Sequence, residues 1–361
     1  MWILSRWEDI RMVESNAELF VNRFGVSLQY AFQDSVVTDD PRLRVALRLP
    51  GTTDPPLHTH LRRVVSPSFS PKPILALEPR IRSIASQVLD EIQPDEVVDF
   101  VDAVATTVPI RAMCDLLGVS DGRTEELKRW ESTDSVSVEP GGKADIGAVT
   151  EMLNYLEAEI ADRRLNPRDD LISDLISAER NGDRCTDEEV LMWARTVFLA
   201  GIGTSSGLLS GGMRALLDHP DQKAVLAADS SLSNRAVEEV LRWVTPVRYM
   251  MRTATGSAEI RGVRIAEGDK IYLWYLAGNR DPYVFEDPFR FDIVRKTSIK
   301  HLAFGHGPHF CLGAPLAVLV ARVLFEELLS RFPNVEWAGE YVGDKRTKLE
   351  AAAHMPVRFR R

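Results

Sequence analysis

The residue with the sharpest chemistry is Cys311, set in Phe304-Gly-His-Gly-Pro-His-Phe-Cys-Leu-Gly313. Two glycines and a proline ahead of the cysteine predict a tight loop with unusual backbone angles. A helical pattern opens near Gly313 and stops before Pro333. The thiol therefore stands at a helix N-terminus, where the positive dipole end and free backbone N–H groups favour thiolate. Thiolate is the form that binds a metal. Cys114 and Cys185 have no such surroundings and read as small buried apolar residues.

Three further groupings carry polar chemistry. His58 and Arg62, in Asp54-Pro-Pro-Leu-His58-Thr-His-Leu-Arg62-Arg63, are four apart and share a helix face. Both suit charge-assisted bonds to carboxylates, whereas His60 and Arg63 read as exposed. Glu239 and Arg242 are three apart and can pair, although an isolated pair of this kind is ordinarily solvated and weak. Phe198-Leu-Ala-Gly-Ile-Gly-Thr-Ser-Ser206 lies within a helical stretch that also holds Gly207, Gly211 and Gly212. Each glycine there costs about 1 kcal/mol of helix stability. Such a helix implies close approach by something, either a neighbouring helix or a flat ligand.

Phe304, Gly307, Cys311 and Gly313 reproduce the spacing Phe-x-x-Gly-x-x-x-Cys-x-Gly, and here the chain resembles the cytochrome P-450 family. The resemblance implies a haem-thiolate monooxygenase of the soluble bacterial type. It implies haem b (iron protoporphyrin IX) as cofactor and Cys311 as the metal ligand to its iron, a ligation that favours O–O cleavage. It implies propionate contacts from His58, Arg62, Arg252 and His309, and contact of Phe304, Gly313 and Ala200 with the cofactor. Asn279-Arg-Asp-Pro282, Phe285, Pro288, Phe291-Asp292 and Arg295 resemble the family's meander. There Arg295 would join Glu239 and Arg242 in a buried structural triad.

Ala200, Gly201, Thr204 and Ser205 match the family's oxygen-side helix, and Thr204 and Ser205 are the implied catalytic residues. Gly203 takes the place of the family's acid. This departure leaves proton delivery to solvent, Ser205 or the substrate. It keeps open a haem-thiolate peroxygenase or atypical oxidase, and beyond that a non-catalytic haem-binding partner protein. The implied substrate pocket holds Phe198, Leu199, Gly203, Val247, Arg248 and Tyr249. Arg248 there suits a carboxylate or phenolate on a small-molecule substrate. With no flavin or iron–sulfur module legible, electrons are expected from ferredoxin and ferredoxin reductase. Arg63, Lys72 and Arg322 are the candidate docking cations.

Helices must position these groups. Apolar residues recur at helical spacing from Glu78 to Ile92, from Ala144 to Arg164 and from Asp170 to Glu179. Thr186-Asp-Glu-Glu189 is a capping signature that opens a helix running to Leu217, ahead of His219-Pro220. Arg235 to Val244 is a shorter helix before Pro246. Strand-like pieces follow at Glu259–Ile265 and Lys270–Leu276, with a turn at Glu267-Gly268-Asp269. Glu139-Pro-Gly-Gly142 reads as a surface loop. The fold class expected is mainly α with a small late β portion, a single cytochrome P-450 domain over residues 1–361. Met1 to Ile10 resembles the family's second strand and following helix, so the usual N-terminal helix and first strand are expected to be missing.

Composition sets the outer bounds. The 361 residues are 45% apolar and 27% charged, with a formal net charge of −9. That balance argues against nucleic acid as a partner, because phosphate neutralisation needs clustered cations. Three scattered cysteines are no disulfide framework and fit a cytoplasmic setting. No signal-peptide core follows Met1, and no run reaches the roughly 18 apolar residues of a membrane helix, so no membrane association is expected. A monomer is expected.

Overall fold

The computed structural model describes residues 1–28, 49–137, 145–180, 183–344 and 348–360. The turn at Glu139–Gly142 lies outside the described residues. The elements that build the site are strands β1 (Trp2–Leu4), β2 (Phe20–Val21), β3 (Met250–Ala254), β4 (Ala258–Ile260), β5 (Val263–Ile265) and β6 (Lys270–Leu273). The helices are α1 (Trp7–Ser15), α2 (Leu57–Val65), α3 (Glu78–Asp90), α4 (Thr107–Leu117), α5 (Ile146–Leu165), α6 (Leu171–Ser177), α7 (Asp187–Asp218), α8 (Ser233–Val244), α9 (Tyr275–Gly278) and α10 (Ala314–Arg331).

Helix α7 runs through the middle of the molecule. Thr186 and Glu189 form a full capping box: the Glu189 amide donates to Thr186 Oγ1 at 3.2 Å, and the Thr186 amide donates to Glu189 Oε2 at 2.8 Å. Its 32 residues extend about 48 Å. Helices α4, α5, α8 and α10 pack around it. The glycines of α7 are explained largely by these neighbours. A Cβ at Gly211 would lie 2.6 Å from Val244, and one at Gly212 would lie 2.8 Å from Phe325 and from Val240. Gly201 is pressed by Met113 of α4.

The late β portion is a four-stranded sheet in the order β1-β6-β3-β2. Strand β1 runs parallel to β6; the other neighbours are antiparallel, with Arg252 opposite Ile271. Two sequence expectations are corrected here. Glu259–Ile265 is not one strand but the hairpin β4–β5. Its two-residue turn has Arg261 at φ 50° and Gly262 at φ 77°, the left-handed pair that suits hairpin twist. The strand expected over Lys270–Leu276 ends at Leu273, and the chain turns into α9. The turn delivers Asn279 to a buried position, where it donates to Thr245 Oγ1 at 2.8 Å and accepts from the Leu302 amide at 2.5 Å. A strand continued past Leu273 would forfeit both bonds.

Helix α8 anchors the segment behind the cysteine loop. Glu239 and Arg242 are both fully buried, and Arg242 grips both carboxylate oxygens at 2.7 Å. The remaining Arg242 donors reach the carbonyls of Asn279, Pro288 and Arg290 at 2.9–3.1 Å. Arg295 meets Glu239 at 3.3 Å, and Ser298 donates to it at 2.7 Å. A buried charge pair is costly unless every lone pair and proton is used, and here they are. Replacing Glu239 by Gln leaves the Arg242 charge buried and unpaired, with an expected loss of about 3–5 kcal/mol in urea-unfolding stability. A loss under about 1 kcal/mol would place the pair with ordinary surface bridges.

Candidate functional site: a cysteine-floored cavity with a basic corner

The loop Phe304–Gly313 is shaped by its glycines. Gly305 and Gly307 take φ values of 68° and 71°. A side chain on Gly307 would run into the main chain of Glu14, so the loop seats directly on α1. The Cys311 amide donates to the Phe304 carbonyl at 2.9 Å, and the Phe310 amide to that of Gly307 at 3.0 Å. Gly313 is the N-cap of α10.

The Cys311 side chain has open surface, yet it lies deep within the protein, because the surface it exposes is cavity wall. Depth governs its chemistry. Burial pushes the thiol above its ordinary range, while the Gly313 amide, the Arg62 guanidinium and the Ala314 amide pull it back. The amides of the helix terminus do favour the thiolate, as the sequence leads one to expect, but burial outweighs them. A cation bound to the sulfur reverses the balance, since a coordinating thiol is deprotonated outright.

The cavity above the cysteine encloses about 350 Å³. One face of α7 forms its roof, through Trp193, Val197, Ala200, Gly201, Thr204 and Leu208, with Ser205 beside them. The steps of three and four are those of a single helix face. Thr204 donates its hydroxyl to the Ala200 carbonyl at 2.6 Å. Phe304, Cys311 and Gly313 form the floor, together with Leu316 of α10. Most of this lining is apolar.

Of the expected pocket residues only Val247 is on the wall. Phe198, Leu199 and Gly203 are turned away, since each residue advances about 100° around the helix; Phe198 is packed in the core. Arg248 is engaged by Glu350 rather than free for a ligand. Tyr249 stacks on Tyr272, with ring centroids 4.4 Å apart. Strand alternation is the reason: Met250 and Arg252 face the cavity, so Tyr249 and Met251 face away. Sequence reasoning missed Trp193, Val197, Met113 and Met250, whose apolar side chains look like any core residue.

At one edge of the cavity His58, Arg62, Arg252 and His309 converge. The rings of His58 and His309 lie 3.9 Å apart. Burial, then His58, Arg252 and Arg62, push His309 down to about 3. Burial and Arg62 lower His58, against an opposing pull from Asp54. Burial lowers Arg62 too. Both ring nitrogens of His309 and Nδ1 of His58 are buried without a hydrogen-bond partner. Four cationic or cation-forming groups that repel one another, with orphaned ring nitrogens, describe a site built for anionic oxygens. Among the described residues, Glu14 is the acid on the cavity wall here. Glu14 of α1 bonds Arg252 at 3.2 Å and accepts from the Tyr275 hydroxyl. Its second oxygen has no partner, and burial pushes its pKa to about 7. The sequence did offer a signal: Glu14 stands four residues after Ile10, on the apolar face of its helix.

These residues fit a flat, iron-bearing dicarboxylate. Among the described residues no three His, Cys, Asp or Glu side chains cluster to hold a metal, so a metal on Cys311 must bring its other ligands with it. A Cβ on Gly313 would meet nothing within 4 Å, so the protein's own packing does not require glycine there; the free space belongs to the cavity.

The family model for Cytochrome P-450 matches residues 145–339. The chain is 39% identical over 314 residues to 6-deoxyerythronolide B hydroxylase of Saccharopolyspora erythraea, covering 86% of this chain and 77% of that one. It is 33% identical to the methyl-branched lipid omega-hydroxylase of Mycobacterium bovis, over 92% of this chain and 78% of that one. The structure of cytochrome P-450 CYP109Q5 from Chondromyces apiculatus superposes with a TM-score of 0.89 at 33% identity, covering 99% of this chain and 89% of that one. The chain belongs to the cytochrome P-450 family. It is an oxidoreductase of the bacterial P-450 monooxygenase kind, with haem b as its cofactor.

Alanine at position 307 is expected to push the loop off α1 and lower haem content per protein, read from the ratio of Soret to protein absorbance. Alanine at position 313, where packing leaves room, is expected to leave the folded protein as stable in the absence of haem while lowering its haem content.

Proposed function

We propose that this chain inserts one oxygen atom from dioxygen into a small, largely apolar organic substrate, with electrons from a separate ferredoxin and ferredoxin reductase. The observation that carries the proposal is the Cys311 thiol on the floor of an apolar cavity, opposite Thr204 and flanked by the basic corner. In this reading Cys311 holds the haem iron, and His58, Arg62, Arg252 and His309 hold its carboxylates. The bound haem supplies dioxygen activation. The chain's own residues bind and orient the substrate, exclude water and move protons. The apolar walls from Trp193, Val197, Met113 and Val247 select substrate by shape and desolvation.

Thr204 is the hydroxyl over the floor, and Ser205 follows it. Glu14 is the one acid on the described cavity wall, and it belongs to the basic corner, not to α7. Protons therefore come from solvent by way of Thr204. That arrangement also gives the peroxide-driven alternative its motive. Among the docking cations, Arg322 is withdrawn: it is committed to Glu78 at 2.5 Å and Glu326 at 3.2 Å. Among the described helices none is long and apolar enough to cross a membrane.

The reduced carbon-monoxide spectrum tests the thiolate, and Cys311→Ser is expected to abolish its long-wavelength band. Turnover with ferredoxin, ferredoxin reductase and NAD(P)H is expected to exceed turnover with peroxide; the reverse order would favour the peroxygenase. Thr204→Val is expected to cut product formation by about 10²-fold, with electrons diverted to hydrogen peroxide. Equal coupling in this variant and the parent would remove Thr204 from the proton path.

A further inference from the structure

The basic corner contains a group that a plain carboxylate cradle does not need. Glu14 is 2% exposed, yet it is an acid, and it occupies Arg252, one of the donors proposed above for a haem carboxylate. Three elements fix it. Arg252 approaches from β3 at 3.2 Å. The Tyr275 hydroxyl approaches from α9. The His306 amide approaches from the cysteine loop, while the His306 ring is held by Arg11 of α1 at 3.1–3.3 Å. Arg252 spends its other terminal nitrogen on the Met251 carbonyl at 2.9 Å. Beyond Arg252 stand His309, His58 and Arg62. Glu14 Oε2 is buried without a hydrogen-bond partner.

Two carboxylates on one buried guanidinium cannot both keep full charge cheaply, because like charges a few ångströms apart in a desolvated site push one of them to take a proton. We propose that Glu14 is a positioning residue for the haem: it aims Arg252, and a haem carboxylate that joins it there raises its affinity for a proton. The proton comes from solvent and adds to the Glu14 carboxylate; no other bond is made or broken. Burial already inclines Glu14 this way before any second anion is present. Tyr275 is pushed well above its ordinary pKa by burial and by Glu14, so its hydroxyl stays a donor. Adding an electron to the haem makes the corner more negative and raises the affinity of Glu14 for its proton. This side chain thereby adds its own share to the pH dependence of the haem reduction potential.

The inference rests on the haem-thiolate reading, and the test separates the two. The carbon-monoxide spectrum is recorded first for the holoenzyme and for the Glu14→Gln, Glu14→Asp and Tyr275→Phe variants. The reduction potential of each is then measured across neutral and mildly alkaline pH. The wild-type potential is expected to fall as pH rises above about 7, the value to which burial already brings Glu14. Glu14→Gln is expected to lose Glu14's share of that slope, Glu14→Asp to keep it, and Tyr275→Phe to shift it to higher pH, because a donor favouring the charged carboxylate is gone. Contributions from His58 and His309 persist in all four proteins, so the difference isolates Glu14. A normal thiolate band with a flat wild-type potential, or with the same slope in Glu14→Gln, overturns the inference alone. A missing thiolate band in the wild type overturns the haem-thiolate reading.

Discussion

The sulfur of Cys311 is held by a backbone-to-backbone contact. Gly307 lies against the main chain of Glu14 with no room for a side chain, and the Cys311 amide is tied back to the Phe304 carbonyl at 2.9 Å. A loop clamped at both points cannot drift, so the thiol stays at the floor of the cavity. Behind it, Arg242 gathers three carbonyls of the meander around the buried Glu239 carboxylate. The first seats the loop on α1; the second stiffens the meander that leads into it. Rigidity of this kind is what a ligand to a metal requires, since a small displacement changes bond length and reactivity together.

Electrostatics divides the cavity into two regions. In the corner of His58, Arg62, Arg252 and His309, burial first and mutual repulsion second lower the affinity of both histidines for protons. An arriving dicarboxylate relieves that repulsion, so binding and charge neutralisation are one event. The roof is nearly uncharged. Along α7 the wall offers hydroxyls at Thr204 and Ser205 among apolar side chains. Charge is concentrated where a cofactor would be gripped and absent where an apolar substrate would lie.

The glycines of α7 admit two causes, a closely packed neighbour or a flat ligand. Val244, Val240, Phe325 and Met113 supply the first, by filling the places where side chains would stand. Gly201 serves both demands, since it also borders the cavity.

Much of the site was legible in the linear chain because its chemistry is local. The cysteine loop, the His58–Arg62 pair, the Glu239–Arg242 pair and the Thr186–Glu189 cap each span ten residues or fewer, and their geometry follows from turn and helix periodicity. Tertiary structure alone decided three things. It turned Tyr249 onto Tyr272, because alternation into β3 points it away from Met250 and Arg252, and it drew Arg248 aside through an ion pair with Glu350, 102 positions away in the chain. It committed Arg322 to Glu78, 244 positions away in the chain. It brought Glu14, Arg252 and Tyr275 together from the two ends of the sequence, and only that meeting turns an acid on an apolar helix face into part of the basic corner. Contacts between residues hundreds of positions apart leave no periodic trace, so a single sequence carries their participants without naming their partners.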